Sequence, residues 1–195
     1  VQEKEKPFVA VRSSATAEDL PEASFAGQQA TFLNIRGDEE LIRAIRGCWA
    51  SLFTARAIYY REKNNFPHEK VLISVIVQKM INSEKSGVMF SANPSTNNLD
   101  EVVIEAAFGL GEAIVSGAVN PDLYIVDKNT LDIKKIEIKE QKIKFIRDPK
   151  TGETIKKDLT EKEEIQQVLK DTEIKQLAVY AKRIEKHYDK PQDME

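Results

Sequence analysis

Residues 11–29 read VRSSATAEDLPEASFAGQQ, and the rest of the chain can be interpreted outward from this stretch. The apolar run 8–11 leads into it, and a second β-like run, 30–34, follows it. Small residues let backbone N–H groups approach an anion closely, and Arg12 supplies a planar fork that fits phosphate. Strand, long polar loop and strand predict a lid over a ligand. On composition alone a polar surface hairpin is the alternative, because most such loops only turn the chain.

The composition indicates a globular protein of about one domain. The sequence has 195 residues, of which 41% are hydrophobic and 31% charged, with a net charge of −3. That charge gives no basis for a nucleic-acid or polybasic membrane surface, and no apolar run approaches the ~18 residues of a membrane span. The single cysteine, Cys48, excludes an internal disulfide and falls in a helical pattern, which favours a buried thiol. We expect a cytoplasmic protein and, since the sequence starts at Val1 rather than Met, a piece of a longer one.

The first half of the chain predicts a helix and a buried strand. Apolar residues recur every three or four positions between 38 and 64, which predicts one long helix with one apolar face and an interruption at Gly47. Asp38 is the expected N-cap. Residues 71–80 are nearly continuously apolar and β-branched, which predicts a strand buried on both faces.

The second half predicts further strands and a terminal helix. The runs 87–91, 101–107 and 123–126 are β-like, and alternation from 130 to 145 predicts a half-exposed antiparallel hairpin or meander. Thr160 and Glu163 form a capping box before an amphipathic helix that reaches about His187. The sequence therefore predicts an α+β fold, with a mixed or antiparallel sheet and flanking helices.

Three polar groups are candidates for chemistry, each with a purely structural alternative. Residues 105–113, EAAFGLGEA, could bring backbone and a carboxylate to a ribose, or could simply turn a strand into a helix. Gln78 and Lys79 could face an adenine edge, or mark where a strand reaches solvent. Asp193 and Glu195, at i and i+2 in an extended segment, could hold Mg²⁺, or belong to a solvated acidic tail. The two histidines, His68 and His187, lack zinc spacing and are expected at the surface.

The sequence resembles the nucleotide-binding domain of phosphoenolpyruvate synthases, which pyruvate phosphate dikinases and rifampicin phosphotransferases share with variations. Residues 12–29 resemble its signature loop, and three further matches follow in the expected order: SGVMF at 86–90, GLGE at 109–112 and SGAVNPD at 116–122. The resemblance runs from about residue 8 to 195. It implies that residues 1–195 are a partial ATP-grasp-like domain, with an antiparallel insert at about 122–150 and a terminal helical region at about 160–188.

The resemblance also implies roles for individual residues, and Mg²⁺ and ATP as the ligands. Arg12 would contact the phosphates as the catalytic residue, while Gly27 and Thr31 would line the return strand of the lid. Gln78 would face the adenine and Glu112 the ribose. Asp193 and Glu195 would bind the metal, although Met194 stands between them where a β-branched residue is more usual.

In phosphoenolpyruvate synthases, ATP, pyruvate and water give phosphoenolpyruvate, AMP and phosphate through a phosphohistidine. The resemblance therefore implies two partners in the same full-length chain, a phosphohistidine domain and a pyruvate-binding domain. It also implies an upstream phosphate-binding lysine and a downstream glutamine and arginine, all outside these 195 residues. We expect little or no turnover from this fragment alone. The alternatives are a rifampicin phosphotransferase-like dikinase, a non-catalytic nucleotide-binding module and a scaffold without ligand.

Overall fold

A computed structural model describes residues 6–16 and 30–195 of the chain. The chain divides into two compact units, Val1–Ile81 and Asn82–Glu195. Helices accompany three sheets, and the strand pairings within each sheet are antiparallel. The expected combination of helices with antiparallel sheets is confirmed. Among the helices in the described part of the chain, none is long and apolar enough to cross a membrane.

The first unit is a small sheet with one helix packed against it and a second helix that follows in the chain. Its elements are β1 (Val9–Ala15), β2 (Thr31–Ile35), α1 (Asp38–Ala50), a 3-10 turn (Ser51–Phe53), α2 (Ala55–Lys63), a second 3-10 turn (His68–Lys70) and β3 (Ile73–Lys79). The strand order β2-β1-β3 places β1 in the centre. Helix α1 packs Ala44 and Cys48 against Val11 of β1, so the cysteine is a buried core residue, as predicted.

The predicted long helix is broken, but at Thr54 rather than at Gly47. Thr54 is extended, and its hydroxyl accepts a hydrogen bond from the Ala57 N–H at 3.3 Å, which caps α2. Gly47 stays within α1, where its missing side chain makes room for the ring of Phe32. The expected N-cap is also wrong by one position, because Gly37 is the N-cap residue and Asp38 is the first residue of the helix.

The burial predicted for β3 is wrong, and the helical segment also exposes part of its apolar surface. The helical segment does not bury all of its apolar residues, since Trp49 is 51% and Phe53 is 73% exposed. Strand β3 is not buried on both faces, and Ile76 is 49% exposed. The reason is that β3 lies at the edge of a three-stranded sheet and α1 packs against one face of that sheet. An apolar, β-branched run therefore does not by itself show that both faces are covered.

The second unit is built on a larger sheet. Its elements are β4 (Lys85–Phe90), β5 (Glu101–Phe108), α3 (Glu112–Val115), β6 (Asp122–Asp127), β7 (Ile133–Glu137), β8 (Ile143–Arg147), β9 (Thr154–Asp158), α4 (Glu161–Glu164), α5 (Asp171–Tyr188) and β10 (Asp193–Met194). The five-stranded sheet has the order β10-β4-β5-β6-β7, and β8 and β9 form a separate hairpin. The three predicted strands are confirmed, whereas the alternating segment 130–145 is divided between the sheet and the hairpin.

The two faces of the five-stranded sheet carry different helices. Helix α5 packs Ile174, Ala178 and Ala181 on one face, against a buried layer that includes Ile104 and Tyr124. The opposite face carries α3, where Ala113 packs with Ala107 and Val119. The sheet is thus buried by a long helix on one side and only partly covered by a short one on the other.

The terminal helical region is also divided. The capping box of Thr160 and Glu163 is confirmed, but it begins α4, which has only four residues. Helix α5 starts at Asp171. Between them the Val168 N–H donates to the Asp122 carboxylate at 2.9 Å, and the Leu169 N–H donates to the Tyr124 hydroxyl at 3.1 Å. These backbone groups are bound to buried side chains instead of to a preceding helical turn, which explains the break.

Candidate functional site

In the first unit, strand register brings together three of the predicted site residues. Arg12 of β1 lies directly opposite Thr31 of β2. On the other side of β1, Ala10 lies opposite Gln78 of β3. Cross-strand partners share a face, and so do residues two apart on one strand. Arg12, Thr31 and Gln78 therefore project from the same face of the sheet.

This shared face is the one that α1 does not cover. Val11 points into the core with α1, and its neighbour Arg12 therefore points away from it. Arg12, Thr31 and Gln78 are all exposed. A guanidinium, a hydroxyl and an amide on one open face supply several hydrogen-bond donors and two kinds of acceptor. Such a surface can bind an anion and a polar ring edge next to each other.

The loop that follows Arg12 begins beside the residue that precedes β3. The Thr16 N–H donates to the Leu72 carbonyl at 2.9 Å, and the Thr16 hydroxyl accepts from the Leu72 N–H at 3.1 Å. The Ser74 hydroxyl donates to the Ser14 carbonyl at 3.1 Å. The strand pairing thus holds the start of the predicted lid beside Arg12. Gly27 and the rest of residues 17–29 lie outside the described residues.

In the second unit, Glu112 stands at the start of α3, directly after the two glycines of the GLGE motif. Gly111, its N-cap residue, passes close to Ser86 of β4. The Glu112 side chain is exposed, and its backbone carbonyl accepts from the Ser116 hydroxyl at 2.6 Å. Because α3 packs on the sheet face opposite α5, Glu112 belongs to that face. The candidate ribose ligand, Glu112, thus lies within the strand-to-helix turn itself.

The two candidate metal ligands lie at the end of the chain. Strand β10 pairs Asp193 with Phe90 and Met194 with Met89 of β4. Met194 packs into the core under α5, so Asp193 points to the opposite face, the one that carries α3. Extension of the strand by one residue would place Glu195 on the side of Asp193. Both side chains are exposed.

These two carboxylates fit a magnesium site that a ligand completes. Within residues 6–16 and 30–195, no group of three or more histidine, cysteine or acidic residues is arranged to hold a metal by itself. Mg²⁺ characteristically uses one or two protein carboxylates together with phosphate oxygens and water. The donor set of Asp193 and Glu195 matches that requirement.

The structure shows a buried carboxylate that the sequence did not single out. Asp122, the last residue of the SGAVNPD motif, is fully buried. It accepts hydrogen bonds from the Tyr124 hydroxyl at 2.8 Å, the Val168 N–H at 2.9 Å, the Lys139 N–H at 3.0 Å and the Gln141 side-chain amide at 3.4 Å. Burial and the nearby Asp122 raise the pKa of the Tyr124 hydroxyl. The alternation of β6 could have indicated an inward-facing Asp122, but not its partners.

Comparison with known proteins identifies the domain. The profile of the family described as "Pyruvate phosphate dikinase, AMP/ATP-binding domain" matches residues 1–195. The chain belongs to this family. The match covers the chain from end to end and therefore includes the residues of both units.

Similar proteins carry one recurring name. The chain is 55% identical over 192 residues to the "Probable phosphoenolpyruvate synthase" of Methanothermobacter thermautotrophicus, which covers 98% of this chain and 28% of that protein. It is 54% identical over 201 residues to the "Phosphoenolpyruvate synthase" of Pyrococcus furiosus, covering 98% and 24%. The protein of that name from Aeropyrum pernix is 42% identical over 214 residues, covering 98% and 26%. The AMP/ATP-binding domain described here thus spans about a quarter of the length of these relatives.

Proposed function

We propose that this chain is the ATP-binding part of a phosphoenolpyruvate synthase, with an ATP-grasp-like architecture. In the full-length protein, ATP, pyruvate and water would give phosphoenolpyruvate, AMP and phosphate through a phosphohistidine on another domain. The observation that carries the proposal is the cross-strand pairing of Arg12 with Thr31, on the same exposed face as Gln78. Membership of the AMP/ATP-binding domain family supports it. The shared name of the relatives favours pyruvate over rifampicin as the final acceptor.

On this proposal the first unit recognises the phosphates and the base. The Arg12 guanidinium donates to phosphate oxygens, and the adjacent Thr31 hydroxyl and Gly27 backbone line the returning strand of the lid. Gln78 offers the adenine edge one donor and one acceptor from its amide. The open sheet face provides the surface on which these groups act together. Their contribution to phosphoryl transfer is to orient the phosphates and offset their charge.

The second unit would recognise the ribose and hold the metal. The Glu112 carboxylate accepts hydrogen bonds from ribose hydroxyls, and Asp193 and Glu195 bind Mg²⁺. When bound, Mg²⁺ neutralises charge on the phosphates. Glu112 and Asp193 belong to the sheet face opposite α5, and extension of β10 by one residue would place Glu195 on the same side. Ser86 of β4 lies beside the start of α3, and Phe90 of the same strand lies opposite Asp193. These two residues of β4 are four positions apart, or roughly 13 Å at ~3.3 Å per residue.

Binding of Mg·ATP to the full-length protein tests the nucleotide assignment. Arg12→Ala should raise the ATP dissociation constant roughly 10- to 100-fold, since hydrogen bonds to charged groups contribute about 1.5–3 kcal/mol. Arg12→Lys should retain part of the affinity because it keeps the charge but loses the fork. Arg43→Ala is the matched control, since Arg43 is an exposed arginine of α1, which packs against the other sheet face. Equal effects of Arg12→Ala and Arg43→Ala would contradict the assigned role.

Product analysis tests the reaction. The full-length protein should form AMP and phosphate from ATP in a pyruvate-dependent manner, with one phosphoenolpyruvate for each AMP. AMP formation that depends on rifampicin and is indifferent to pyruvate would assign the other acceptor. ATP binding without turnover in the full-length protein would leave only a nucleotide-binding module.

A further inference from the structure

Strand β5 is paired further along one edge than along the other. Its pairing with β4 runs to Phe108, whereas its pairing with β6 runs only to Ala106, which lies opposite Asp122. The last two residues of β5 therefore extend past the start of β6. They lead directly into residues 109–112, the GLGE turn, which ends at the candidate ribose ligand Glu112. The groups that bind the end of β5 on this edge can therefore affect where Glu112 lies.

The side chain of Gln141 binds this edge where β6 does not reach. Its Oε1 atom accepts from the Phe108 N–H at 3.3 Å, and its Nε2 atom donates to the Ala106 carbonyl at 3.3 Å. The Gly109 N–H points the other way, to the Glu84 carbonyl at 2.8 Å, as alternation along a strand requires. The amide of Gln141 thus offers β5 one donor and one acceptor, as a residue of a neighbouring strand would. Gln141 is 2% exposed, so water does not compete for these groups.

Further contacts continue this support into the turn. The Leu110 N–H donates to the Phe145 carbonyl of β8 at 2.8 Å, and Gly109 forms a parallel bridge with Phe145. From the opposite side, the Ser83 hydroxyl donates to the Gly109 carbonyl at 3.1 Å. Residues 108–110 are therefore bonded from both sides immediately before α3.

The position of Gln141 is itself set by groups outside the turn. Its backbone N–H donates to the Glu164 carbonyl of α4 at 2.9 Å, and its Nε2 atom also donates to the Asp122 carboxylate at 3.4 Å. The same Asp122 oxygen accepts from the Lys139 N–H at 3.0 Å, two residues before Gln141. Because these contacts do not involve residues 109–112, the amide can act as a fixed support for the turn.

Glu112 depends on this support because α3 is too short to fix its own orientation. The helix has four residues, and a helix of that length gains little from its internal hydrogen bonds. Its buried residue, Ala113, packs with Ala107 of β5 and Phe145 of β8. The exposed Glu112 side chain thus takes its position from the backbone of the turn and from these two strands. A displacement of roughly 1 Å is enough to weaken the hydrogen bonds that its carboxylate would accept.

We propose that Gln141 is a positioning residue for ribose recognition. Its amide fixes the end of β5 so that the Glu112 carboxylate accepts hydrogen bonds from the ribose hydroxyls of the nucleotide. Gln141 acts through the backbone of residues 106–110 and does not touch the nucleotide. The inference rests on the proposed function, since it takes Glu112 as the ribose ligand. It adds that the preference for a ribonucleotide depends on a buried amide outside the nucleotide site.

Binding of ATP and of 2′,3′-dideoxy-ATP to the full-length protein tests this role, with EDTA present to prevent phosphoryl transfer. The native protein should bind ATP about 10- to 100-fold more tightly, since the ribose hydroxyls donate to a charged group. Glu112→Ala should remove most of this preference. Gln141→Leu should lower the preference at least about threefold by weakening ATP, and should change the dideoxy-ATP dissociation constant less than about twofold. A merely structural role would weaken both nucleotides alike.

Two controls separate positioning from general stability. Gln167→Leu is the matched variant, because the Gln167 amide also donates to a backbone carbonyl, that of Leu169, but does so just before α5. It should leave the preference unchanged. In a Glu112→Ala background, Gln141→Leu should have no further effect on the preference, because the two residues act through the same contact. If circular dichroism shows that Gln141→Leu does not fold, Gln141→Asn replaces it, since the shorter side chain withdraws the amide from β5 but stays polar.

The possible failures have different meanings. A folded Gln141 variant with the native preference would overturn the proposal. Equal weakening of ATP and dideoxy-ATP, or an equal loss of preference in Gln167→Leu, would do the same. A native protein without the preference, or Glu112→Ala with the preference intact, would refute the ribose role of Glu112 in the proposed function, and the positioning role would fall with it. The measurement on Glu112→Ala therefore distinguishes the two failures.

Discussion

Replacement of Asp122 by alanine should destabilise the second unit more than any change at its surface. The carboxylate connects three segments: Tyr124 is in β6, Lys139 follows β7 and Val168 precedes α5. Gln141 adds a fourth donor and also donates from its side-chain amide to the Ala106 carbonyl at 3.3 Å. Removal of the carboxylate therefore leaves four donors without this acceptor in the interior.

The size of the effect follows from what remains buried. An unsatisfied buried donor costs about 1–3 kcal/mol. The Val168 N–H and the Tyr124 hydroxyl are deeply buried, whereas the Lys139 N–H is part-buried and can regain water more easily. We expect a loss of about 3–5 kcal/mol for Asp122→Ala, a large share of the 5–15 kcal/mol typical of a domain. Asp122→Asn keeps one acceptor oxygen but presents an NH₂ group to the other donors, so about 2–3 kcal/mol is expected.

Urea denaturation of the 195-residue chain, followed by far-UV circular dichroism, measures these losses. The only tryptophan, Trp49, lies in the first unit, so its fluorescence reports on that unit separately. Asp158→Ala is the control, because Asp158 is an exposed carboxylate of β9 and should change stability by less than about 0.5 kcal/mol. A loss below 1 kcal/mol for Asp122→Ala would refute the reasoning, as would equal losses for Asp122→Ala and Asp158→Ala.

Three further predictions concern the second unit. Lys128→Met should cost roughly 2 kcal/mol in urea denaturation, because it leaves Glu185 without the buried ammonium that contacts it at 2.9 Å, and adding Glu185→Leu should recover much of the loss. Gly109→Ala should cost at least about 2 kcal/mol, since φ is +83° and the new Cβ would press on the Phe145 carbonyl oxygen; a smaller loss would show that the backbone relaxes there. The hydrogen bonds that Glu163 accepts at the start of α4 lower its pKa to about 2, so its stabilising effect is complete above its unfolded pKa and is lost as the pH falls from about 5 to 2. In thermal melts Glu163→Gln should therefore lose less stability than the native chain over that range, and equal losses would contradict the assignment.

Local signals in the sequence identified many elements of this fold. The capping box at Thr160 and the strands β4, β5 and β6 could be predicted because each depends on nearby residues. Thr54 shows that local signals alone do not determine where a helix ends. A threonine inside an amphipathic pattern is compatible with a continuous helix, and it becomes an N-cap only because the chain changes direction there.

Burial was harder to predict than element type. The β-branched run that forms β3 predicted a strand correctly, but its place at the edge of a sheet depends on which strands pair with it. Asp122 presents the opposite case. It is a charged residue in a polar motif, yet it is fully buried, and its four donors come from residues between 124 and 168. Long-range partners of this kind leave no local pattern in a single sequence.

In the candidate site, strand register brings together residues that are distant in the sequence. Arg12, Thr31 and Gln78 are separated by 19 and 47 positions in the sequence, and nothing local relates them. Once β1 is known to lie between β2 and β3, alternation places all three on one face, and the packing of α1 on the other face leaves theirs exposed. The same logic applies within the second unit, where α5 buries the face of Met194 and leaves Asp193 and Glu112 on the other. In each unit the helix that builds the core thereby determines which sheet face is available for chemistry.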